Sequence, residues 1–239
     1  MVKTKANSKA KKGLQQVARK LIANSNPKSF VSEQYRTVRT NISFSLPDQE
    51  LGSLLVTSAA PGEGKSTTSA NLAVVFAQTG KRVLLIDADM RKPTTHYTFH
   101  VANTVGLSNL LTRQAQMEEV IRPTAIENLS LITCGPIPPN PAELLASKTM
   151  DMALRDFRQQ FDLVIFDAPP VLSVTDAQIL ASKSEGTVLV VNSGSTEKDN
   201  AVKAKEAVES ANGRILGTVL NNFKLEKDHY YYQYYGTAE

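Results

Sequence analysis

Nine residues, AAPGEGKST at 59–67, constrain this chain more than any other segment. An apolar run, LLVTS (54–58), precedes them, and an amphipathic run beginning NLAVVFA (71–77) follows. A strand, a glycine-bearing loop and a helix in that order make a phosphate cradle. Gly62 and Gly64 let the backbone turn its N–H groups inward, and the helix directs its N-terminal dipole at the anion. At this spacing Lys65 reaches terminal phosphates and the Ser66 hydroxyl holds Mg²⁺. Pro61, Gly62, Glu63, Gly64, Lys65, Ser66 and Thr67 are therefore expected to line a nucleoside triphosphate. The strict pattern G-x-x-x-x-G-K-[ST] asks for glycine at position 59, where this chain has Ala59. The competing reading is a glycine turn capping an ordinary helix.

The rest of the body alternates between two periods. Strands fit at about 54–58, 83–88, 129–133, 162–167, 187–192 and 215–221. Helices fit at about 65–79, 105–111, 141–159, 174–183 and 197–211, the third opened by Asn140 as cap and Pro141 at its first position. The strands are near-continuous apolar runs such as VLLID and LVIFD, as expected when helices cover both faces of a parallel sheet. The fold class is a doubly wound, mostly parallel α/β sheet. Ligands collect at the carboxyl ends of such strands. Asp87 and Asp89 end one strand (VLLIDADMRKP) and Asp167 ends another (LVIFDAPP). One such carboxylate can hold Mg²⁺, directly or through water, and another can take the proton of an attacking hydroxyl. Three acids beside one phosphate loop argue against the bare glycine turn. Arg91 and Lys92 either neutralise phosphate charge or are solvated turn residues.

The 239 residues divide into a basic arm (1–28), one α/β domain (29–226) and a tyrosine-rich tail (227–239). Apolar content of 41% supports a full core, and no apolar run reaches the ~20 residues that span a bilayer. The N-terminus lacks a signal peptide's apolar stretch. The lone Cys134 cannot form an intrachain disulfide, which fits a reducing cytoplasm. The formal charge of +4 belongs to the arm: residues 1–20 hold seven Lys or Arg and no acid, and the rest is mildly acidic. In the arm Leu14, Val17, Ala18, Leu21 and Ile22 share one helical stripe. Such a segment can lie on an anionic membrane or dock on a partner, or remain a solvated arm. A helix is expected over 32–44, where Glu33, Arg36 and Arg39 step by three, as in local charge pairing.

The tail reads YYYQYYGTAE, with Tyr230, Tyr231, Tyr232, Tyr234 and Tyr235 inside six positions. No period of 2 or 3.6 places them on one buried face. They are either phosphate acceptors or an aromatic segment docked on the body. A phenol with a pKa near ~10 is almost wholly protonated at neutral pH, but a loose phosphoryl-transfer transition state asks for little proton removal before attack. Each phosphate would add roughly −1.5 to −2 charges.

Together these residues resemble the bacterial tyrosine kinases tied to capsule and exopolysaccharide synthesis. The resemblance runs from about Ser32 to the end. It rests on SEQYRTVRTNI (32–42), AAPGEGKST (59–67), LLIDADMRKP (84–93), GPIPPNPAELL (135–145), FDLVIFDAPP (161–170) and the tyrosine cluster. It implies ATP and Mg²⁺, with Lys65, Ser66 and Thr67 on the phosphates and metal. It implies that Asp87 and Asp89 form the family's second acidic motif, one assisting the metal and one acting as base, and that Asp167 is its Walker B acid. Ser66, Asp87 and Asp167 are the implied metal residues, and Arg91 is placed with the nucleotide. Asn221 is expected to face the adenine, as in related ATPases. Glu33, Arg36 and Arg39 match the E-x-x-R-x-x-R motif that joins subunits in a ring, an octamer, with one subunit's tail in the next one's site. Tail phosphorylation then loosens the ring. The resemblance further implies a separate transmembrane modulator that recruits the cytoplasmic kinase to the inner face of the membrane, other protein substrates, and control of polysaccharide synthesis. The alternatives are a partner-switched ATPase of the partition or septum-placement type, and a tail that serves only as an interaction module. Those ATPases carry a lysine where this chain has Ala60. DNA attachment through the arm has only the arm's charge behind it.

Overall fold

The computed structural model describes residues 20–46 and 50–224. Most of the basic arm and the five clustered tyrosines lie outside the described residues. Seven strands form one sheet: β1 (Ser53–Ser58), β2 (Val83–Asp87), β3 (Arg122–Pro123), β4 (Leu129–Ile132), β5 (Leu163–Asp167), β6 (Gly186–Asn192) and β7 (Ile215–Asn221). Their order is β3-β4-β2-β5-β1-β6-β7. Every pairing is parallel except β3 with β4. The expected strands are all present. The two-residue antiparallel β3 is an addition that carries too short a pattern to be read from sequence.

Alternation within each strand sends side chains to two separate cores. Leu55, Leu84, Ile86 and Phe166 join one cluster, and Leu54, Val56, Leu85 and Ile165 join the other. Both faces are therefore covered, which is why the strands read as continuous apolar runs. On the second face lie α1 (Ile22–Ser25), α2 (Phe30–Phe44) and α3 (Lys65–Ala77). Short helices α4 (Thr95–Thr98), α5 (Leu107–Leu111) and α6 (Met117–Val120) follow β2. Next come α7 (Pro141–Ala146) and α8 (Lys148–Gln160), then α9 (Asp176–Lys183) and α10 (Lys198–Ser210).

The single helix expected over 141–159 is two. Ser147 leaves the helical region (φ −71°, ψ 155°), and its hydroxyl accepts from the Met150 N–H, so it caps the start of α8. Beyond the break α8 buries Met150, Ala153, Leu154 and Phe157, a stripe at i, i+3, i+4 and i+7. Burying a side chain the size of Phe157 contributes about 1.5–3 kcal/mol. Helix α2 starts earlier than expected, because Ser29 caps it by accepting from the Ser32 N–H.

The end of the supposed arm, residues 20–28, is part of the folded body. Asn71 on α3 is fully buried and holds this segment by its amide: Oδ1 accepts from the Ala23 N–H at 3.0 Å, and Nδ2 donates to the Lys20 carbonyl at 2.9 Å. The same Nδ2 donates to the Thr67 carbonyl within α3, and Gln78 donates to the Ala23 carbonyl. Leu21 and Ile22, which the periodicity assigns to an arm helix, pack on the α3 side of the core. The sequence sets no signal at Asn71 that would distinguish a strap anchor from an ordinary helix residue.

Losing that amide orphans the buried Ala23 N–H, worth about 1–3 kcal/mol when unsatisfied, and cuts the tie to the Lys20 carbonyl. Asn71→Ala is expected to lower unfolding free energy by about 1–3 kcal/mol in urea melts and to open residues 20–28 to proteolysis. A loss below about 0.5 kcal/mol would show that the strap carries no stability.

Candidate active site

The site forms where β1, β2 and β5 end. Asp87 closes β2 and Asp167 closes β5, and the two are register partners on adjacent parallel strands. Both carboxylates are buried. The loop after β1 takes left-handed backbone at Gly62 (φ 83°) and Gly64 (φ 96°), conformations that only glycine adopts without strain. Gly64 caps α3 with no side chain over the first turn, so that turn's N–H groups are available to an anion.

Lys65 is the hub. Its Nζ lies 2.9 Å from Asp89 Oδ2, 3.8 Å from Asp167 Oδ1 and 3.3 Å from Ser66 Oγ. Burial works against its charge, but Asp167, Asp89 and Asp87 outweigh that and hold its pKa above the ordinary lysine value. Burial pushes Asp87 up to about 7, and the charge of Asp167 adds to the push. The Thr95 hydrogen bonds and Lys65 oppose it. Asp167 is raised by burial as well, against the pull of Lys65 and the Ser66 and Ser69 hydroxyls.

The remaining oxygens decide what the site can hold. Asp87 Oδ2 accepts from the Thr94 and Thr95 N–H groups, and Asp89 Oδ1 accepts from the Lys92 N–H. Asp87 Oδ1 and Asp167 Oδ1 are buried with no hydrogen-bond partner. Unsatisfied carboxylate oxygens are costly and call for a cation. Among the described residues no group of three or more His, Cys, Asp or Glu forms a complete metal cage. That suits Mg²⁺, which keeps several waters and takes only one or two carboxylates beside a phosphate. The donor set therefore fits Mg²⁺ and a triphosphate.

Arg91 and Asn221, both expected near the nucleotide, have protein partners of their own. Arg91 makes a bidentate pair with Asp176, Nε to Oδ2 at 3.0 Å and Nη2 to Oδ1 at 2.9 Å. Asp176 is fully buried at the first position of α9. Asn221 donates from Nδ2 to the Glu63 carbonyl at 2.9 Å, and its amide blocks any Cβ at position 64. Glu63 is itself buried, its carboxylate turned toward the Ala60 N–H and the Thr196 hydroxyl. Asp176 and Thr196 carry no signal in the sequence, since each looks like an ordinary helix-start residue. Cys134 sits buried behind Asp87 and Asp89, its thiol pushed up to about 12 by burial, which makes it unreactive.

In the ring motif, Arg36 pairs with Glu33 and donates to the Pro27 carbonyl at 2.8 Å. Arg39 Nη1 donates to the Val75 carbonyl, one of the acceptors that the end of α3 leaves unpaired. Among the described residues no helix is long and apolar enough to cross a membrane.

Comparison with known proteins agrees with this geometry. A family profile described as an AAA domain matches residues 54–196. Tyrosine-protein kinase YwqD of Bacillus subtilis (strain 168) is 54% identical over 221 residues, covering 92% of this chain and 93% of that protein. The crystal structure of the chimerical protein CapA2B2 superposes with a TM-score of 0.83 at 44% identity, over 87% of this chain and 93% of that one. The cell division ATPase MinD of Pyrococcus furiosus, at 24% identity and a TM-score of 0.63 over 74% of each chain, shares the fold alone. With its phosphate loop, paired strand-end aspartates and these relatives, the chain belongs to the bacterial tyrosine-protein kinase family, and its catalytic domain is of the P-loop type.

Proposed function

We propose that the loop at 59–67 binds ATP with Mg²⁺ and that the chain transfers the terminal phosphoryl group to tyrosine, its own tail first. One observation carries this reading. Lys65 sits between Asp89 and Asp167 at strand ends where Asp87 and Asp167 each keep a buried oxygen with no hydrogen-bond partner. The N–H groups of Gly62, Gly64, Lys65, Ser66 and Thr67 line the phosphates, while Pro61 and Glu63 shape the loop. Ser66, Asp167 and Asp87 hold the metal, which when bound offsets charge on the phosphate oxygens.

Lys65 leaves Asp89 for the phosphates as nucleotide binds, since a polyanion outcompetes one carboxylate. Asp89 Oδ2 is then free to accept the hydrogen bond of a phenol. Asp89 is the better placed to take the proton, because Asp87 gives its free oxygen to the metal and its Oδ2 is held by two backbone N–H groups. The phenolic oxygen bonds to the terminal phosphorus while the bond from that phosphorus to the ADP oxygen breaks, and the phenolic proton passes to Asp89. Positioning and charge supply most of the rate in such a transfer.

Tyr230, Tyr231, Tyr232, Tyr234 and Tyr235 are the acceptors. They lie 6 to 11 residues beyond Lys224, a reach of roughly 20–36 Å. That reach permits transfer to a neighbouring copy. Glu33, Arg36 and Arg39 on α2 form the contact between copies, with support from an apolar cavity of about 490 Å³ beside them, lined by Phe30, Val31, Leu220 and Phe223 among others. Five added phosphates drive neighbouring tails apart. A separate transmembrane modulator activates the kinase at the membrane's inner face, and the output is control of exopolysaccharide or capsule synthesis.

Lys65→Met is expected to cut tail labelling from γ-labelled ATP by about 100-fold or more, with the far-UV spectrum unchanged. Undiminished labelling would remove Lys65 from the site, and phosphate release without protein label would favour the assembly ATPase. Arg36→Ala tests assembly more cleanly than Arg39→Ala, because the Arg36 bond to the Pro27 carbonyl is exposed whereas the Arg39 bond to the Val75 carbonyl is part-buried. The Arg36 variant is expected to elute as a monomer and to label its tail poorly, and a ring of unchanged size would return Arg36 to local pairing.

The carboxylate pair sets a pH dependence. Asp87 keeps its proton up to about 7 in the folded chain, while the unfolded chain releases it near the ordinary value of 3.8. Its contribution to stability is complete below that ordinary value and is lost as pH rises through about 7. In EDTA, the melting temperature of Asp87→Asn relative to the parent is therefore expected to rise between pH 5 and pH 8. The rise should correspond to a few kcal/mol, since each tenfold change in proton affinity is worth about 1.4 kcal/mol. An equal gap at both pH values would show that Asp87 is not held protonated.

A further inference from the structure

Glu63 poses an electrostatic problem: a buried carboxylate stands inside a loop built to receive a polyanion. Buried charged side chains persist only with partners, and Glu63, 3% exposed, has three. Oε2 accepts from the Ala60 N–H at 3.1 Å, across the loop. Oε1 accepts from the Thr196 hydroxyl, and the Glu63 carbonyl accepts from Asn221 Nδ2 at 2.9 Å. Thr196 Oγ1 in turn accepts from the Asn192 N–H at 2.9 Å, and Asn192 Oδ1 accepts from Asn222 Nδ2 at 3.0 Å. The carbonyl ends of β1, β6 and β7, neighbours in the sheet, are thereby tied through one residue.

We infer that Glu63 is a positioning residue that braces the phosphate loop against Thr196 and Asn221, at a cost in nucleotide affinity from its own charge. The inference rests on the nucleotide reading above. Two properties follow. The brace holds the Ala60-to-Gly64 span at the width that lets the N–H groups converge, so breaking it weakens binding. The carboxylate repels the phosphates, so removing its charge while keeping the brace strengthens binding. Glutamine does the latter: its Oε1 can take the Ala60 N–H, and its Nε2 can donate to the second lone pair of Thr196 Oγ1. The arrangement favours turnover, since a looser hold on nucleotide speeds release of ADP.

The test uses the full chain, with Mg²⁺ and a fluorescent N-methylanthraniloyl ATP. Glu63→Ala and Thr196→Val are expected to raise Kd and the KM for ATP about fivefold to tenfold, with kcat within about twofold. Glu63→Gln is expected to bind about threefold or more tighter than the parent. Amide exchange over 59–67 without nucleotide is expected to be faster in the Ala and Val variants and unchanged in Gln. A purely structural role would lower the melting temperature of Glu63→Ala without speeding exchange over 59–67 in the folded chain, and would leave Gln equal to the parent in affinity. Glu63→Ala and Thr196→Val binding within about twofold of the parent, with unchanged exchange, overturns the brace. A parent chain that fails to bind the nucleotide at all fails the nucleotide reading instead, and the exchange data alone then decide the brace.

Discussion

One cation, Lys65, stands against three buried carboxylates. Asp87, Asp89 and Asp167 are each less than a tenth exposed, and Lys65 is the lysine or arginine paired with two of them. Burial raises the proton affinity of Asp87 and Asp167. In the proposed reading the residual negative charge draws in a metal, and the lysine admits a phosphate beside it. The same imbalance that stores instability in the protein without metal is the site's affinity for its ligands. Neither the cradle nor the acids suffice alone. Glycines at 62 and 64 without the aspartates would bind any anion, and the aspartates without the loop would bind any small divalent cation.

This balance depends on the sheet. Parallel strands in register deliver Asp87 and Asp167 side by side at the same level, and β1 delivers the loop next to them. A slip of one residue in β5 would turn Asp167 to the opposite face and put an apolar side chain beside Lys65. The two apolar cores fix that register by requiring odd and even positions to face opposite sides. The apolar runs that make the fold readable are therefore also what aims the carboxylates.

Much of this was legible in the residues. The strand–loop–helix unit, the three acids and the sheet class follow from runs and spacings that physics constrains tightly, and the family follows from motifs spread over most of the chain. What escaped was of another kind. The Asp176 partner of Arg91 lies 85 residues away, and the Thr196 partner of Glu63 lies 133 residues away. No local period encodes such pairs. Asn71 and the strap at 20–28 failed to show for the same reason, and there a basic, weakly patterned stretch concealed the point where folded structure begins. The break at Ser147 rests on a single serine cap, and the expected helix over 141–159 runs straight across it.

The strand order gives these hidden contacts a common logic. The loop leaves β1, which sits between β5 and β2 on one side and β6 and β7 on the other. On the first side the loop's lysine is held by charge: Asp89 and Asp167 on Lys65. On the second side the contacts are hydrogen bonds: Thr196 and Asn221 on Glu63. Ionic contacts are long-ranged and forgiving in direction, so that side can exchange partners as phosphate arrives. Hydrogen bonds are short and directional, so the other side can hold backbone geometry while that exchange occurs. A phosphate loop serving a transfer reaction needs one yielding flank and one rigid flank, and a doubly wound sheet with its loop on the central strand supplies both.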